Sequence, residues 1–223
     1  MTTASPSKRR IFLVDDHPMI RERLTELINR EADLVVSGEA ESASAAREAL
    51  KSSEADLALV DLSLKGSSGI ELLKDLRIEL PELKMLVLSM HDESLYAERV
   101  LRAGARGYIT KQEASTLVLT AIRKVLAGGV YLSPRMTDEM LQRCSEGREF
   151  GASPLTVLTD RELEVVQRIG RGQSTRQIAI ELSLSVKTVE TYRERIKDKL
   201  GLKNGMELVQ HAVRWRSELE TES

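Results

Sequence analysis

The chain has 223 residues, of which 41% are hydrophobic, 30% charged and only 3% aromatic, with a formal net charge of -2. That length exceeds the usual single domain and suggests two, with cores built on Leu, Val, Ile and Ala rather than on rings. One cysteine, Cys144, excludes an intramolecular disulfide and a cysteine metal cluster. No apolar run approaches the length of a membrane span, and Met1 to Arg10 lacks the apolar core of a signal peptide. A cytoplasmic protein without a membrane partner is expected.

In chain order, the first strong signal is Ile11-Phe12-Leu13-Val14, followed at once by Asp15-Asp16. Leu57-Ala58-Leu59-Val60 ends in Asp61, Met85-Leu86-Val87-Leu88 ends in Ser89, and Tyr108-Ile109 is followed shortly by Lys111. Short continuous apolar runs separated by helix-period stretches read as parallel strands buried on both faces, and ligand chemistry on such sheets collects at the strands' carboxyl ends. Three acids and a lysine therefore meet at one edge. Asp15 and Asp16 both serve it only where the first strand has opened into its loop, because neighbours within a strand point to opposite faces.

Crowded carboxylates repel and raise one another's pKa, so the cluster suits a hard divalent cation with oxygen ligands, most simply Mg²⁺. Magnesium usually keeps waters and shares itself with a phosphoryl group, which makes one carboxylate a nucleophile and the lysine a partner for its product. Taken singly, an acid pair also suits a helix start before Pro18, and a lone acid after a strand suits a turn. Joint placement favours the shared site.

Farther along, Ser133-Pro134 is a helix start with Ser133 as N-cap, and Met136, Met140 and Leu141 supply an apolar face. Gly147 to Pro154 has glycine, serine and proline without periodicity and reads as a hinge. Charge changes across it. Residues 1–153 carry 21 Lys+Arg against 24 Asp+Glu, a net of -3, whereas residues 154–216 carry 12 against 8, a net of +4. A basic block beside an acidic one is compatible with nucleic acid on one side and a metal or regulatory protein on the other.

Beyond the hinge every signal is helical. Thr159 with Glu162 and Ser174 with Gln177 form capping boxes, the first before Leu163, Val166 and Ile169, the second before Ile178, Ala179, Leu182 and Leu184. Ser185 caps a third helix with Val189, Ile196 and Leu200 inward and Tyr192 at the margin, stopped by Gly201; Asn204 opens a fourth with Leu208, Val209, Ala212 and Val213 on one side. At about 100° per residue, with Val189 as the core direction, Lys187, Thr191 and Arg195 fall on the far face of the third helix, Thr188 at its edge, and Glu190 and Glu194 to one side. A short helix, a Ser183-Leu184-Ser185 turn and a helix with outward cations and hydroxyls describe a helix-turn-helix. Periodicity alone favours a small helical bundle with no partner over DNA binding.

The first part of the chain, through Asp15-Asp16, Asp61, Ser89, Tyr108 and Lys111, resembles the receiver domain of two-component response regulators. The resemblance implies that Asp61 is the phosphoacceptor, that Asp15 and Asp16 hold Mg²⁺ with Asp16 favoured as direct ligand, and that the Ser63 carbonyl completes the set. It also implies that Ser89 is a switch hydroxyl and Tyr108 a switch aromatic. Receivers usually carry a proline shortly after the phosphoacceptor and another directly after the lysine; here Asp61 is followed by Leu62-Ser63-Leu64-Lys65 and Lys111 by Gln112. Differently shaped loops are expected, with Lys65 a second cation near the site. A cis bond after Lys111, common in the family, costs about 3 kcal/mol without proline.

Leu158 to Val165, Ser185 to Arg193 and Lys199-Leu200-Gly201-Leu202 resemble the LuxR-type DNA-binding domain, and the two halves together resemble the NarL/FixJ class of response regulator. By that resemblance Lys187, Glu190, Thr191 and Glu194 face the groove, Thr188, Arg193 and Arg195 contact phosphate or bases, and the fourth helix is a dimer surface on DNA. The expected fold is α/β, a doubly wound, flavodoxin-like, five-stranded parallel receiver over residues 9–130. A linker with a helix spans 131–153, and an all-α four-helix helix-turn-helix domain spans 154–217. The expected function is a non-enzymatic, phosphorylation-controlled transcription regulator whose partners are a histidine kinase, double-stranded DNA and a second copy of itself. An alternative is a phosphorylation-independent receiver governed by a protein or ligand. An aspartyl-phosphate phosphatase fits less well, because no acid sits two residues beyond Asp61 to protonate a leaving group.

Overall fold

The apolar runs that end in polar side chains are strands. In the computed structural model, which describes residues 8–64, 68–145 and 157–221, they are β1 (Arg9–Val14), β3 (Leu57–Val60), β4 (Lys84–Ser89) and β5 (Tyr108–Thr110). With β2 (Leu34–Ala40) they form one five-stranded parallel sheet in the order β2-β1-β3-β4-β5. β2 lies at the sheet's edge, and its half-exposed Val-Ser-Gly-Glu stretch has no continuous apolar run, so sequence reading did not single it out. Lys65 and the hinge expected at Gly147 to Pro154 lie outside the described residues, and no cis peptide occurs among those described.

Successive strand residues serve two cores. Ile11, Leu13, Leu57, Leu59, Leu86, Leu88 and Ile109 pack with Leu24 and Ile28 of α1 (Pro18–Asn29) and with Val118, Ile122 and Val125 of α5 (Ala114–Leu126). The alternate residues Phe12, Val14, Ala58, Val60, Met85 and Val87 are buried on the other face, the side of α2 (Ala43–Ser52), α3 (Gly69–Glu79) and α4 (Glu93–Ala103). This is the doubly wound arrangement, with burial on both faces explaining why the strands read as unbroken apolar runs.

The sheet's open β5 edge is extended by the chain itself. Tyr131 donates its N–H to the Arg106 carbonyl at 2.9 Å and accepts from Tyr108 N–H at 2.9 Å. Gly107 is needed there, since a Cβ would lie 2.6 Å from the Tyr131 carbonyl oxygen. Helix α6 (Pro134–Ser145) then starts as its cap predicts, with Ser133 Oγ accepting from Met136 N–H at 3.1 Å. Met136 and Met140, one turn apart, are buried, but Leu141 is 63% exposed. One residue past Met140 it has rotated off the packed stripe, which corrects its placement on the apolar face.

Residues 1–150 form one compact unit and residues 151–223 a second. The second contains α7 (Asp160–Gly170), α8 (Thr175–Glu181), α9 (Val186–Leu200) and α10 (Gly205–Thr221). Both capping boxes form, Ser185 Oγ accepts from Thr188 N–H at 3.0 Å, and Asn204 Oδ1 accepts from Met206 and Glu207 N–H at 2.9 Å each. Among the residues of α10 whose burial is described, Leu208 and Ala212 are buried, while Val209 and Val213 turn outward, correcting the single apolar side read from periodicity. Glu162 is 1% exposed and binds both Thr159 N–H at 2.7 Å and the Lys199 ammonium at 2.6 Å, joining the start of α7 to the end of α9. Burial opposes its ionisation, yet Lys199 and the Thr159 donors outweigh that and hold its carboxyl below the ordinary value of 4.5.

Two tests follow from this packing. Gly170 faces α10 so closely that a Cβ would meet the Ala212 carbonyl oxygen at 2.6 Å; Gly170→Ala is expected to destabilise the second unit by about 1–3 kcal/mol in urea denaturation. A loss under a few tenths would show that α10 yields freely. For Glu162, a depressed folded pKa means stabilisation present above the ordinary glutamate range and lost as pH falls through the lower folded value. Glu162→Gln should therefore be less stable at neutral pH and lose less further stability on acidification. Parallel stability–pH curves for the two proteins would refute that link.

Candidate functional site

Backbone ladders carry the acidic residues to one edge. Asp61 N–H donates to the Val14 carbonyl at 2.8 Å, Asp15 N–H to Ala40 at 3.1 Å and Lys111 N–H to Ser89 at 2.8 Å, so each sits one register step beyond its strand. Their side chains converge as expected. Lys111 Nζ lies 2.7 Å from Asp15 Oδ2 and 2.7 Å from Asp61 Oδ2, with all three side chains almost wholly buried. Burial raises the Asp61 pKa and Asp15 adds to this, while Lys111 opposes it. Burial likewise penalises the Lys111 ammonium, but Asp61 and Asp15 more than compensate and hold it above its ordinary value.

Asp16 points into the same pocket and His17 closes it, with His17 Nδ1 3.0 Å from Asp15 Oδ1 and 2.7 Å from Asp16 Oδ1. One ligand atom each from Asp15, Asp16, His17 and Asp61 lies within 4.8 Å of the others. Three carboxylates against one ammonium leave two negative charges when all are ionised, which fits a divalent cation held by oxygen donors. His17 was not among the expected residues; its signal is only its place directly after the acid pair.

The loop after Asp61 is held by backbone rather than by proline. Gly69, first residue of α3, donates its N–H to the Leu62 carbonyl at 3.1 Å, and a Cβ there would stand 2.5 Å from the Asp61 carbonyl oxygen. Ser63 N–H donates to Asp61 Oδ1 at 3.0 Å, and its hydroxyl pairs with His91 Nε2 at 3.0 Å. His91, which sequence reading also passed over, connects Ser63, Ser89 and Tyr108. Its N–H donates to Ser89 Oγ at 3.2 Å, its carbonyl accepts from the Tyr108 hydroxyl at 2.8 Å, and its ring stacks on Tyr96 at 4.7 Å between centroids. Ser89 and Tyr108 are both buried, and burial pushes the Tyr108 hydroxyl up so that it stays a donor.

In the second unit the turn between α8 and α9 contains Ser183 at φ 55°, a left-handed position that directs the chain into α9. Lys187, Glu190, Thr191, Glu194 and Arg195 are exposed there, opposite the buried Val189 and Ile196. Some of these side chains have local partners: Thr191 Oγ1 donates to the Lys187 carbonyl at 3.0 Å, and Glu194 pairs with Lys197 at 2.7 Å. Thr188 is half-buried with its hydroxyl 2.7 Å from Ser185 Oγ. Arg193 is half-buried and lies toward the start of α10, its Nη2 3.8 Å from where a Gly205 Cβ would stand. Lys187, Thr191 and Arg195 thus share the exposed side, with Thr188 and Arg193 nearer the helix's packed neighbours. Among the described residues no helix is long and apolar enough to cross a membrane.

Comparison with known proteins agrees with both halves. Residues 11–123 match the response regulator receiver domain and residues 156–212 the LuxR family of bacterial regulatory proteins. The chain is 32% identical over 210 residues to the oxygen regulatory protein NreC of Staphylococcus carnosus, covering 92% of this chain and 97% of that one. It is 36% identical over 203 residues to the transcriptional activator protein ExaE of Pseudomonas putida, covering 91% and 95%. A solved structure of RcsB from Salmonella enterica serovar Typhimurium, bound to promoter rprA in the presence of phosphomimetic BeF3-, is 25% identical with a TM-score of 0.61 over 93% of this chain and 99% of that one. With two domains matched in this order and relatives aligned nearly end to end, the chain belongs to the response regulators of the NarL/FixJ class, a receiver joined to a LuxR-type helix-turn-helix domain.

Proposed function

We propose that this response regulator accepts a phosphoryl group from a histidine kinase on Asp61 and so controls transcription through its C-terminal domain, in the cytoplasm. The observation that carries the reading is the buried Lys111 ammonium at 2.7 Å from both Asp15 and Asp61. It keeps a desolvated carboxylate available as a nucleophile.

Asp61 Oδ attacks the phosphorus of a phosphohistidine; the P–N bond breaks and the imidazole nitrogen leaves with the bonding pair. Lys111 then pairs with a phosphoryl oxygen, and burial of the three charged groups keeps water from the acyl phosphate. Asp15, Asp16 and Asp61, with the Ser63 carbonyl, are the residues that would hold Mg²⁺, which when bound neutralises the phosphoryl oxygens. Ser89 donates its hydroxyl proton to the new group while its oxygen can still accept from His91 N–H, so turning toward the phosphoryl draws His91 with it. Tyr108 is bonded to the same His91 and moves with it, carrying the change toward α4 and β5.

For output, Lys187, Thr191 and Arg195 present cations and a hydroxyl to the major groove of double-stranded DNA, with Glu190 and Glu194 beside them as acceptors for cytosine. Thr188 and Arg193 reach phosphates from the helix's flank. Outward Met206, Val209 and Val213 on α10 supply an apolar patch for a second copy, so that a homodimer reads paired half-sites.

Incubation with a phosphorylated histidine kinase and Mg²⁺ should label the wild type and leave Asp61→Asn essentially unlabelled; full labelling of the variant would place the acceptor elsewhere. On DNA, Lys187→Ala should weaken promoter binding and reduce the salt slope by about one. Thr191→Ala should cost about 1–3 kcal/mol at its own base position. If both variants kept wild-type affinity and salt dependence, α9 would not be the reading helix.

A further inference from the structure

Residues 131–145, which follow the receiver's sheet, are fastened to the β5 edge and to α4. Tyr131 is bonded through its N–H and carbonyl to Arg106 and Tyr108 on the β5 edge. Two residues later Ser133 N–H donates to Glu93 Oε1 at 2.9 Å. Ser133 caps α6: its Oγ accepts from Met136 N–H at 3.1 Å, and its carbonyl accepts from Thr137 N–H and Thr137 Oγ1 at 2.9 Å each. Glu93 therefore holds the residue on which the first turn of α6 is built. Near the other end of α6, Arg143 lies 3.9 Å from Glu98, again on α4.

Glu93 is also the first residue of α4, two positions after His91. His91 touches three groups beside the acceptor: Ser63, Ser89 and Tyr108. Between them Asp92 caps α4, its Oδ1 accepting from Ser94 N–H at 2.9 Å and Ser94 Oγ at 2.6 Å, so the loop passes into the helix as a stiff turn rather than a slack one. Displacement of His91 is thus carried to Glu93 over one capped residue.

We propose that Glu93 is a positioning residue for output: in the unphosphorylated receiver its carboxylate holds Ser133 and the start of α6, and occupation of Asp61 withdraws it. The proposal rests on Asp61 being the phosphoacceptor. Glu93 touches neither Asp61 nor DNA; it acts through the cap of α6. A carboxylate accepting a backbone N–H is among the stronger hydrogen bonds, and its loss at an N-cap frays the turn it supports.

Amide hydrogen exchange of the full-length protein, with and without beryllofluoride and Mg²⁺, tests this in the wild type, Glu93→Ala and Glu93→Gln. Beryllofluoride should speed exchange of the first-turn α6 amides in the wild type. Glu93→Ala should exchange there roughly tenfold faster without beryllofluoride and respond little to it, the size expected for one charge-assisted hydrogen bond. Glu93→Gln, which keeps an acceptor oxygen but not the charge, should fall between the wild type and Glu93→Ala. Labelling of Asp61 should be equal in all three, since Glu93 is outside the pocket. Wild-type exchange in Glu93→Ala, or an equal beryllofluoride increment in both proteins, overturns the role of Glu93. The same holds if peptides around Ser63 and Ser89 respond while the α6 amides do not. If no peptide of the acceptor pocket responds in the wild type, the phosphoacceptor reading fails, and this inference with it.

Discussion

Everything in the receiver depends on holding several carboxylates and one ammonium together at the end of a parallel sheet. Asp61 is 1% exposed, and burial raises its pKa. Lys111 opposes that shift from 2.7 Å, standing equally 2.7 Å from Asp15, and burial's penalty on its own ammonium is outweighed by the two carboxylates. Neither side of the arrangement survives alone, because removing one partner strands the other charge in a poorly solvated pocket. The sheet order puts β3, which leads to Asp61, between β1 and β4, with β5 delivering Lys111 from the far side of β4. The fold's geometry and the pocket's charge balance are one constraint.

A pocket so tightly paired has little freedom to change except by exchanging partners. Ser63 and Ser89 are small hydroxyl residues already engaged with His91, whose backbone and ring between them meet Ser63, Ser89, Tyr108 and Tyr96. His91 N–H donates to Ser89 Oγ and its carbonyl accepts from Tyr108, so a change at any of these residues bears on the histidine. Buried hydrogen-bonding groups rarely go unpaired, which couples these bonds to one another along the β4–α4 loop. Glu93 and Ser133 mark where that loop meets α6.

The sequence made the pocket's ionic members legible because each follows an apolar run whose period identifies a buried strand, so Asp15, Asp61 and Lys111 could be placed at one edge without knowing a single contact. β2 was not legible, since an edge strand with one wet side lacks that run. His17, His91 and Glu93 were missed for a different reason. Their partners, Asp16, Ser63 and Ser133, are set by loop and cap geometry, which no local pattern announces. Gly69 belongs with them: its need to lack a side chain comes from the Asp61 carbonyl oxygen, visible only once α3 is packed. Caps behaved in the opposite way. Thr159–Glu162, Ser174–Gln177 and Ser185 act within four residues, and all formed as written.

The second unit shows why such local clarity matters for reading DNA. Base recognition needs a helix held within a fraction of an ångström, and α9 is held from both ends. At its start Ser185 caps it after the left-handed Ser183; near its finish Lys199 is drawn to the buried Glu162, which simultaneously closes the cap of α7. Between them Val189 and Ile196 lock one face into the core, leaving Lys187, Thr191 and Arg195 no choice but the other. These anchors all come from residues of the second unit itself. The orientation of that exposed side is therefore a property of the unit's own fold.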